Sequence, residues 1–120
     1  MKKVNLTESQ FEDRDGYQRS VLFSTDDFGV NTKLQLMRIA PAGGIKPHYH
    51  KIRTECFRIV SGNGEIKING ESVATTGDDV VICEPGDVHE FINHSDTEHF
   101  TFMVIRSNDT GDSDMIWEED

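Results

Sequence analysis

A chain of 120 residues and 13.6 kDa makes one domain with one hydrophobic core, too small for a second lobe carrying its own site. Twelve basic residues against 22 acidic ones give a net charge of -10, which argues against nucleic acid or an anionic membrane as partner, because both reward a basic face. Two cysteines outside any Cys-x-x-Cys spacing, and no apolar stretch after Met1-Lys2-Lys3, predict no disulfide framework, no signal peptide and no membrane span, with the cytoplasm as the expected compartment.

In chain order, residues 1–16 read as a polar, acidic surface extension. Residues 17–24 and 33–40 read as strands around an Asp26-Asp27-Phe28-Gly29 turn, and residues 41–44 break the chain. From Glu55 the alternation sharpens: Glu55, Phe57 and Ile59 share one face, and Thr54, Cys56, Arg58 and Val60 share the other. Ile66 and Ile68 alternate with Glu65, Lys67 and Asn69, and Asn69-Gly70 is a two-residue hairpin signal, since both central positions of the favoured turn need positive φ. Residues 78–83 form an apolar run between acidic turns, and His89, Phe91 and Asn93 share a face. Phe100, Phe102 and Val104 alternate with Thr101, Met103 and Ile105, so that strand is apolar on both sides and calls for deep cover, including cover by another subunit. After a polar stretch at 108–114, the apolar segment 115–117 is expected to dock on the barrel or on a neighbouring protomer. Up to nine short strands and no long helical period predict an all-β domain over 1–120, with a core barrel at about 17–107.

Four residues with metal-ligand chemistry stand at fixed spacings: His48-Tyr49-His50, Glu55 after four intervening residues, and His89 within Pro85-Gly86-Asp87-Val88-His89-Glu90-Phe91-Ile92-Asn93. On an extended strand His48 and His50 point the same way, and a short turn returns Glu55 beside them. A carboxylate on a face shared with Phe57 and Ile59 is costly unless paired or metal-bound. Three neutral imidazoles and one carboxylate suit Mn, Fe, Zn, Ni, Co or Cu rather than Ca or Mg, which prefer oxygen ligands. A divalent ion with one carboxylate leaves about +1 at the site, which favours an anionic small-molecule ligand.

Gly43 and Gly44 ahead of Pro47, the His-x-His, Glu55 and then Gly62, followed by Pro85-Gly86-x-x-His89-x-x-x-Asn93, resemble the two motifs of the cupin superfamily over roughly residues 34–105. Ala42 stands where a glycine is often seen, and Cys83 lies near the position of a customary proline. The resemblance implies a double-stranded β-helix (jelly-roll) barrel with His48, His50, Glu55 and His89 as metal ligands. It further implies an enzyme of dioxygenase, isomerase or lyase type acting on a small organic anion or carbohydrate derivative, with a non-catalytic ligand-binding or sensing module as the alternative. Against oxalate-type decarboxylation, Ile45 occupies the place of an expected arginine, and the spacing before Glu55 is one residue longer.

Arg38 is the candidate substrate contact if the face it shares with Leu34 and Leu36 lines the barrel. Residues 31–67 carry a local charge of +5 and residues 71–120 a charge of -13, so Lys51 and Arg53 are further cations that an anionic ligand could meet. Cys56 should point away from the metal, Tyr49 outward and Asn93 toward the backbone; Cys83, His94 and His99 lie near the second motif without an assigned role. The expected assembly is a homodimer.

Overall fold

The computed structural model describes residues 1–109, 111 and 114–118. A 3-10 turn (Leu6–Glu8) precedes strands β1 (Glu12–Asp13) and β2 (Gln18–Phe23), and a single helical turn α1 (Thr25–Phe28) leads into β3 (Thr32–Ile39). The remaining strands are β4 (Gly44–His50), β5 (Thr54–Ser61), β6 (Gly64–Ile68), β7 (Glu71–Ala74), β8 (Val80–Cys83), β9 (His89–Asn93), β10 (Phe100–Ser107) and β11 (Met115–Trp117). They form two antiparallel sheets, six-stranded in the order β1-β2-β3-β10-β5-β8 and five-stranded in the order β11-β4-β9-β6-β7. This is the expected all-β jelly roll.

The core lies between the sheets. Met37, Ile39, Phe57, Ile59, Phe102 and Val104 come from the six-stranded side, and Ile45, Ile66, Ala74 and Phe91 from the other. Phe91 and Phe102 stack across the gap, ring centroids 4.5 Å apart and 5° from parallel, and so tie the sheet that carries the histidines to the sheet that carries Glu55.

Turn chemistry sets the register. Asn69 (φ +52°) and Gly70 (φ +82°) make the tight β6–β7 hairpin that their sequence announces. The expected turn at residues 26–29 is instead one turn of helix: the Ser24 N–H donates to Asp27 Oδ2 at 2.9 Å, and Gly29 closes the turn at φ +73°. Two very short strands extend the predicted set, β1 beside β2, and β11 beside β4, so residues 115–117 dock on the barrel itself.

Asn93 does what its motif suggests. Its Nδ2 donates to the carbonyls of Ile39, Ala40 and Glu98, and its Oδ1 accepts from the Ser95 N–H, fixing the loop before β4 against the end of β9. In that loop Ala42 holds φ +61°, the left-handed region that a glycine adopts without penalty. Ala42→Gly is therefore expected to stabilise the protein by about 0.5–1 kcal/mol, since relief of the left-handed strain exceeds the entropy that glycine loses on folding. Urea denaturation checks this; an unchanged or lower midpoint contradicts it.

Candidate metal centre

Strand β4 carries His48 and His50 inward, β9 brings His89 opposite His48 in register, and β5 brings Glu55 from the facing sheet. All four side chains are buried. One nitrogen from each imidazole lies within 4.8 Å of the others, and Glu55 Oε1 lies 2.9 Å from His50 Nε2 and 3.2 Å from His89 Nε2.

The hydrogen bonds assign the lone pairs. His48 Nδ1 lies 2.7 Å from the Lys46 carbonyl and His89 Nδ1 lies 3.2 Å from the Asp87 carbonyl. Because a carbonyl only accepts, each Nδ1 carries the hydrogen and each Nε2 presents its lone pair to the site. Arg53 Nη2 donates toward His50 Nε2 at 3.1 Å, which marks a lone pair there too. Lone pairs facing a carboxylate oxygen at these distances repel unless a cation, either a metal ion or a proton, lies between them, so the donor set fits a transition ion. With metal–nitrogen bonds of about 2.1 Å, nitrogens within 4.8 Å of one another are close enough for His48, His50 and His89 to hold one ion between them.

Glu55 is divided between two neighbourhoods. Oε1 faces the imidazoles, while Oε2 accepts from Arg106 Nε at 3.1 Å and lies 3.8 Å from Arg53 Nε. Burial pushes its pKa up, but the contacts with His50 and His89 and the charges of Arg106 and Arg53 outweigh burial and hold the carboxyl well below its ordinary range. His48 is pushed down to about 3, first by burial and then by the neighbouring His89, so it stays neutral at physiological pH.

Further residues support the site without a sequence motif. The Asp114 carboxylate accepts the backbone N–H groups of Lys51, Ile52 and Arg53, each at 3.0 Å, and so pins the turn between His50 and Glu55. Cys83 Sγ lies 3.3 Å from His89 Nδ1, and its thiol is pushed up to about 12 by burial and by the Glu55 and Asp87 charges. It is a neutral packing group against the His89 ring rather than a thiolate. Met115 and Tyr17, with Met37, Ile45, Phe57 and Phe91, complete the walls of a cavity of about 20 Å³. Trp117 rests edge-on against His48, ring centroids 5.4 Å apart.

Arg38 requires a correction. β3 has the opposite phase to the one that would line the barrel: Gln35, Met37 and Ile39 face inward, and Arg38 faces outward. Its guanidinium sits 3.9 Å over the Phe11 ring and donates to Gln18 Oε1 at 2.7 Å, away from the cavity. The cations beside Glu55 are Arg53 and Arg106 instead. Lys51 is exposed, His99 is exposed, and His94 pairs with Glu65 at 2.9 Å on the surface. Cys56 lies on the outer face, as its phase predicts.

Comparison with known proteins gives a family match and distant relatives. The family described as Cupin domain matches residues 35–106. The chain is 37% identical over 81 residues to the oxidoreductase OpS7 of Beauveria bassiana, covering 58% of this chain and 27% of that protein. It is 31% identical over 65 residues to the epoxidase atD of Aspergillus terreus, covering 53% of this chain and 20% of that one, so it spans only about a quarter of these relatives. A predicted oxalate decarboxylase of Thermotoga maritima superposes with a TM-score of 0.74 at 20% identity, over 88% of this chain and 97% of its own, which is a likeness of fold. Among the described residues no helix is long and apolar enough to cross a membrane.

Two outcomes test the centre. Trp117 is the sole tryptophan and touches His48, so titrating metal-free protein with Cu²⁺ or Co²⁺ is expected to quench its fluorescence saturably, with the midpoint weakened at least tenfold in His50→Ala. An unaltered titration in that variant would remove the assignment. In metal-free protein, the depressed His48 contributes stability that is complete above its ordinary value of 6.5 and is lost as pH falls toward about 3, with a further loss below about 4.5 as Glu55 protonates. Urea midpoints should therefore drop between pH 7 and pH 4; a flat profile contradicts the burial of a neutral His48.

Proposed function

This chain belongs to the cupin family, and from that premise we propose that His48, His50, His89 and Glu55 hold one divalent transition ion in an oxidoreductase of dioxygenase type acting on a small organic anion. The observation that carries the reading is a set of three buried imidazoles with one nitrogen each within 4.8 Å of the others, two of which, His50 and His89, lie 2.9 and 3.2 Å from Glu55 Oε1. The ion would polarise a bound oxygen atom and, where redox-active, exchange electrons with dioxygen. Oxidation is favoured over isomerase or lyase chemistry by the oxidoreductase and epoxidase names of the relatives. Oxalate-type decarboxylation is disfavoured, because Ile45 is a buried core residue where that chemistry calls for an arginine.

The chain's own residues divide the work. Arg106 holds Glu55 Oε2, so the carboxylate offers a single oxygen in a fixed direction. Arg53 and Arg106 lie beside Glu55, and Arg53 also meets Asp109 at 3.6 Å, so two guanidiniums and two carboxylates balance and a bound divalent ion would supply the positive field that favours an anion. Met37, Ile45, Phe57, Phe91 and Met115 keep the cavity apolar, which strengthens these interactions and limits water. Tyr17 supplies the one hydroxyl among the lining side chains and would hydrogen-bond a substrate oxygen.

The cavity admits an ion and a water-sized ligand but no organic substrate. A larger molecule would approach past Ile45, which also lines an outer groove of about 420 Å³ walled by Lys46, Pro47, Trp117 and Glu118. That enclosure favours the second reading, a ligand-sensing module, and turnover separates the two.

Oxygen consumption on a panel of diketones, aromatic diols and thiols tests the enzyme. His50→Ala is expected to lose both metal and turnover, whereas Tyr17→Phe is expected to keep metal and lower kcat/KM by about 10- to 100-fold. Metal retention without oxygen uptake on any of the panel would support sensing, and full activity in His50→Ala would end the metal reading.

A further inference from the structure

We propose that β11 is the gate of the metal centre, and that a ligand reaches the cavity when this strand parts from β4. The gate serves the site assigned to His48, His50, His89 and Glu55, and rests on that reading for what passes through it. None of the four donors is more than 5% exposed, so a ligand arrives only if a wall moves. Strand register sets Met115 opposite His50 and Trp117 opposite His48, so both histidines of β4 are flanked by side chains of β11. Met115 lines the inner cavity of about 20 Å³, Trp117 lines the outer groove of about 420 Å³, and Ile45 lines both. The strand therefore stands between a cavity too small for an organic molecule and a groove large enough for one.

Of the walls around the cavity, β11 separates at least cost. It has three residues, lies at the edge of the five-stranded sheet and pairs with β4 alone among the described strands. Short edge elements with few contacts open locally at lower free energy than strands within a sheet. Because β4 is also paired with β9, it keeps its place when β11 leaves, and His48 stays opposite His89. The two ends of β11 are held unequally. At one end the Asp114 carboxylate accepts the N–H groups of Lys51, Ile52 and Arg53 at 3.0 Å each, a charge-assisted anchor. At the other the Glu118 N–H donates to the Pro47 carbonyl at 3.0 Å, and Trp117 is 39% exposed. The strand thus swings from its Trp117 end about Asp114, joining groove to cavity beside Ile45 while the turn between His50 and Glu55 stays pinned.

A covalent lock tests the gate. Tyr49 and Ile116 are opposed in register, and antiparallel partners about 5.5 Å apart lie within disulfide reach. In a Cys56→Ser background, Tyr49→Cys/Ile116→Cys is oxidised to fasten β11 to β4 and released with a phosphine reductant. In metal-free protein, diethyl pyrocarbonate should modify His48 and His50 at least tenfold more slowly in the locked form than in the reduced form, read by peptide mass spectrometry. The exposed His94 and His99 should react equally in both. In protein loaded with Zn²⁺ before oxidation, the chelator 4-(2-pyridylazo)resorcinol should extract the ion at least tenfold more slowly from the locked form. Glu118→Pro lacks the N–H that reaches Pro47 and should speed both reactions at least threefold. Equal rates at His48 and His50 in locked and reduced protein overturn the gate, and so do unchanged rates in Glu118→Pro. Protection of the two histidines in a wild type that binds no Zn²⁺ would instead end the metal reading and keep β11 as the entrance to the cavity.

Discussion

The placement of one buried carboxylate organises this molecule. Glu55 sits on a strand whose inward neighbours are Phe57 and Ile59, where an isolated charge would shift its pKa and neutralise. It remains ionised because its two oxygens have separate partners: Arg106 and Arg53 on one side, and the ring nitrogens of His50 and His89 on the other. Removing one member of a buried charged set typically costs about 3–5 kcal/mol, because the remainder is left uncompensated. The same side chain therefore contributes to the stability of the barrel and sets the polarity of its cavity.

That balance requires β4 and β5 to meet in a fixed register, and the register is held from far away in sequence. Asp114 accepts three consecutive N–H groups from the turn joining the two strands, and burial, which would raise its pKa, is outweighed by those hydrogen bonds. Two other contacts act on the histidines directly: the Gly86 N–H donates to the His50 carbonyl, and the Asp87 carbonyl orients the His89 ring. Pro85-Gly86-Asp87 thus works as an orienting turn as well as punctuation. Ring direction in this site is set by backbone carbonyls, of Lys46 for His48 and of Asp87 for His89, as well as by the strands that carry the histidines.

What the sequence made legible follows from range. The two-residue period put His48 with His50 and Glu55 with Phe57, and the Asn69-Gly70 turn named its own hairpin, because these are local constraints on φ, ψ and pleat. Arg106, Asp114 and Cys83 were not assigned to the site, since each reaches it only through strand pairing or a contact 6 to 63 residues away. Arg38 was misplaced for a different reason. On β3 both faces are covered, so Leu34 and Leu36 on one side and Met37 and Ile39 on the other give no contrast from which to read the phase.

The same ambiguity on β10 has the opposite value. Phe100, Phe102 and Val104 are wholly buried against the Phe91 side of the barrel, and Ile105 on the other side is substantially exposed in the single chain. An apolar residue on one face of a strand is explained by the core, but apolar residues on both faces must be explained twice. β3 meets the second demand within the chain, since Leu36 is buried, whereas β10 and β8 do not, because Ile105, Val80 and Ile82 stand exposed at their outer positions. A stripe of that kind at a sheet edge is an aggregation liability unless something covers it. A pattern that left the inward phase of one strand unreadable thereby leaves, on another, apolar side chains open on the outer face of the sheet.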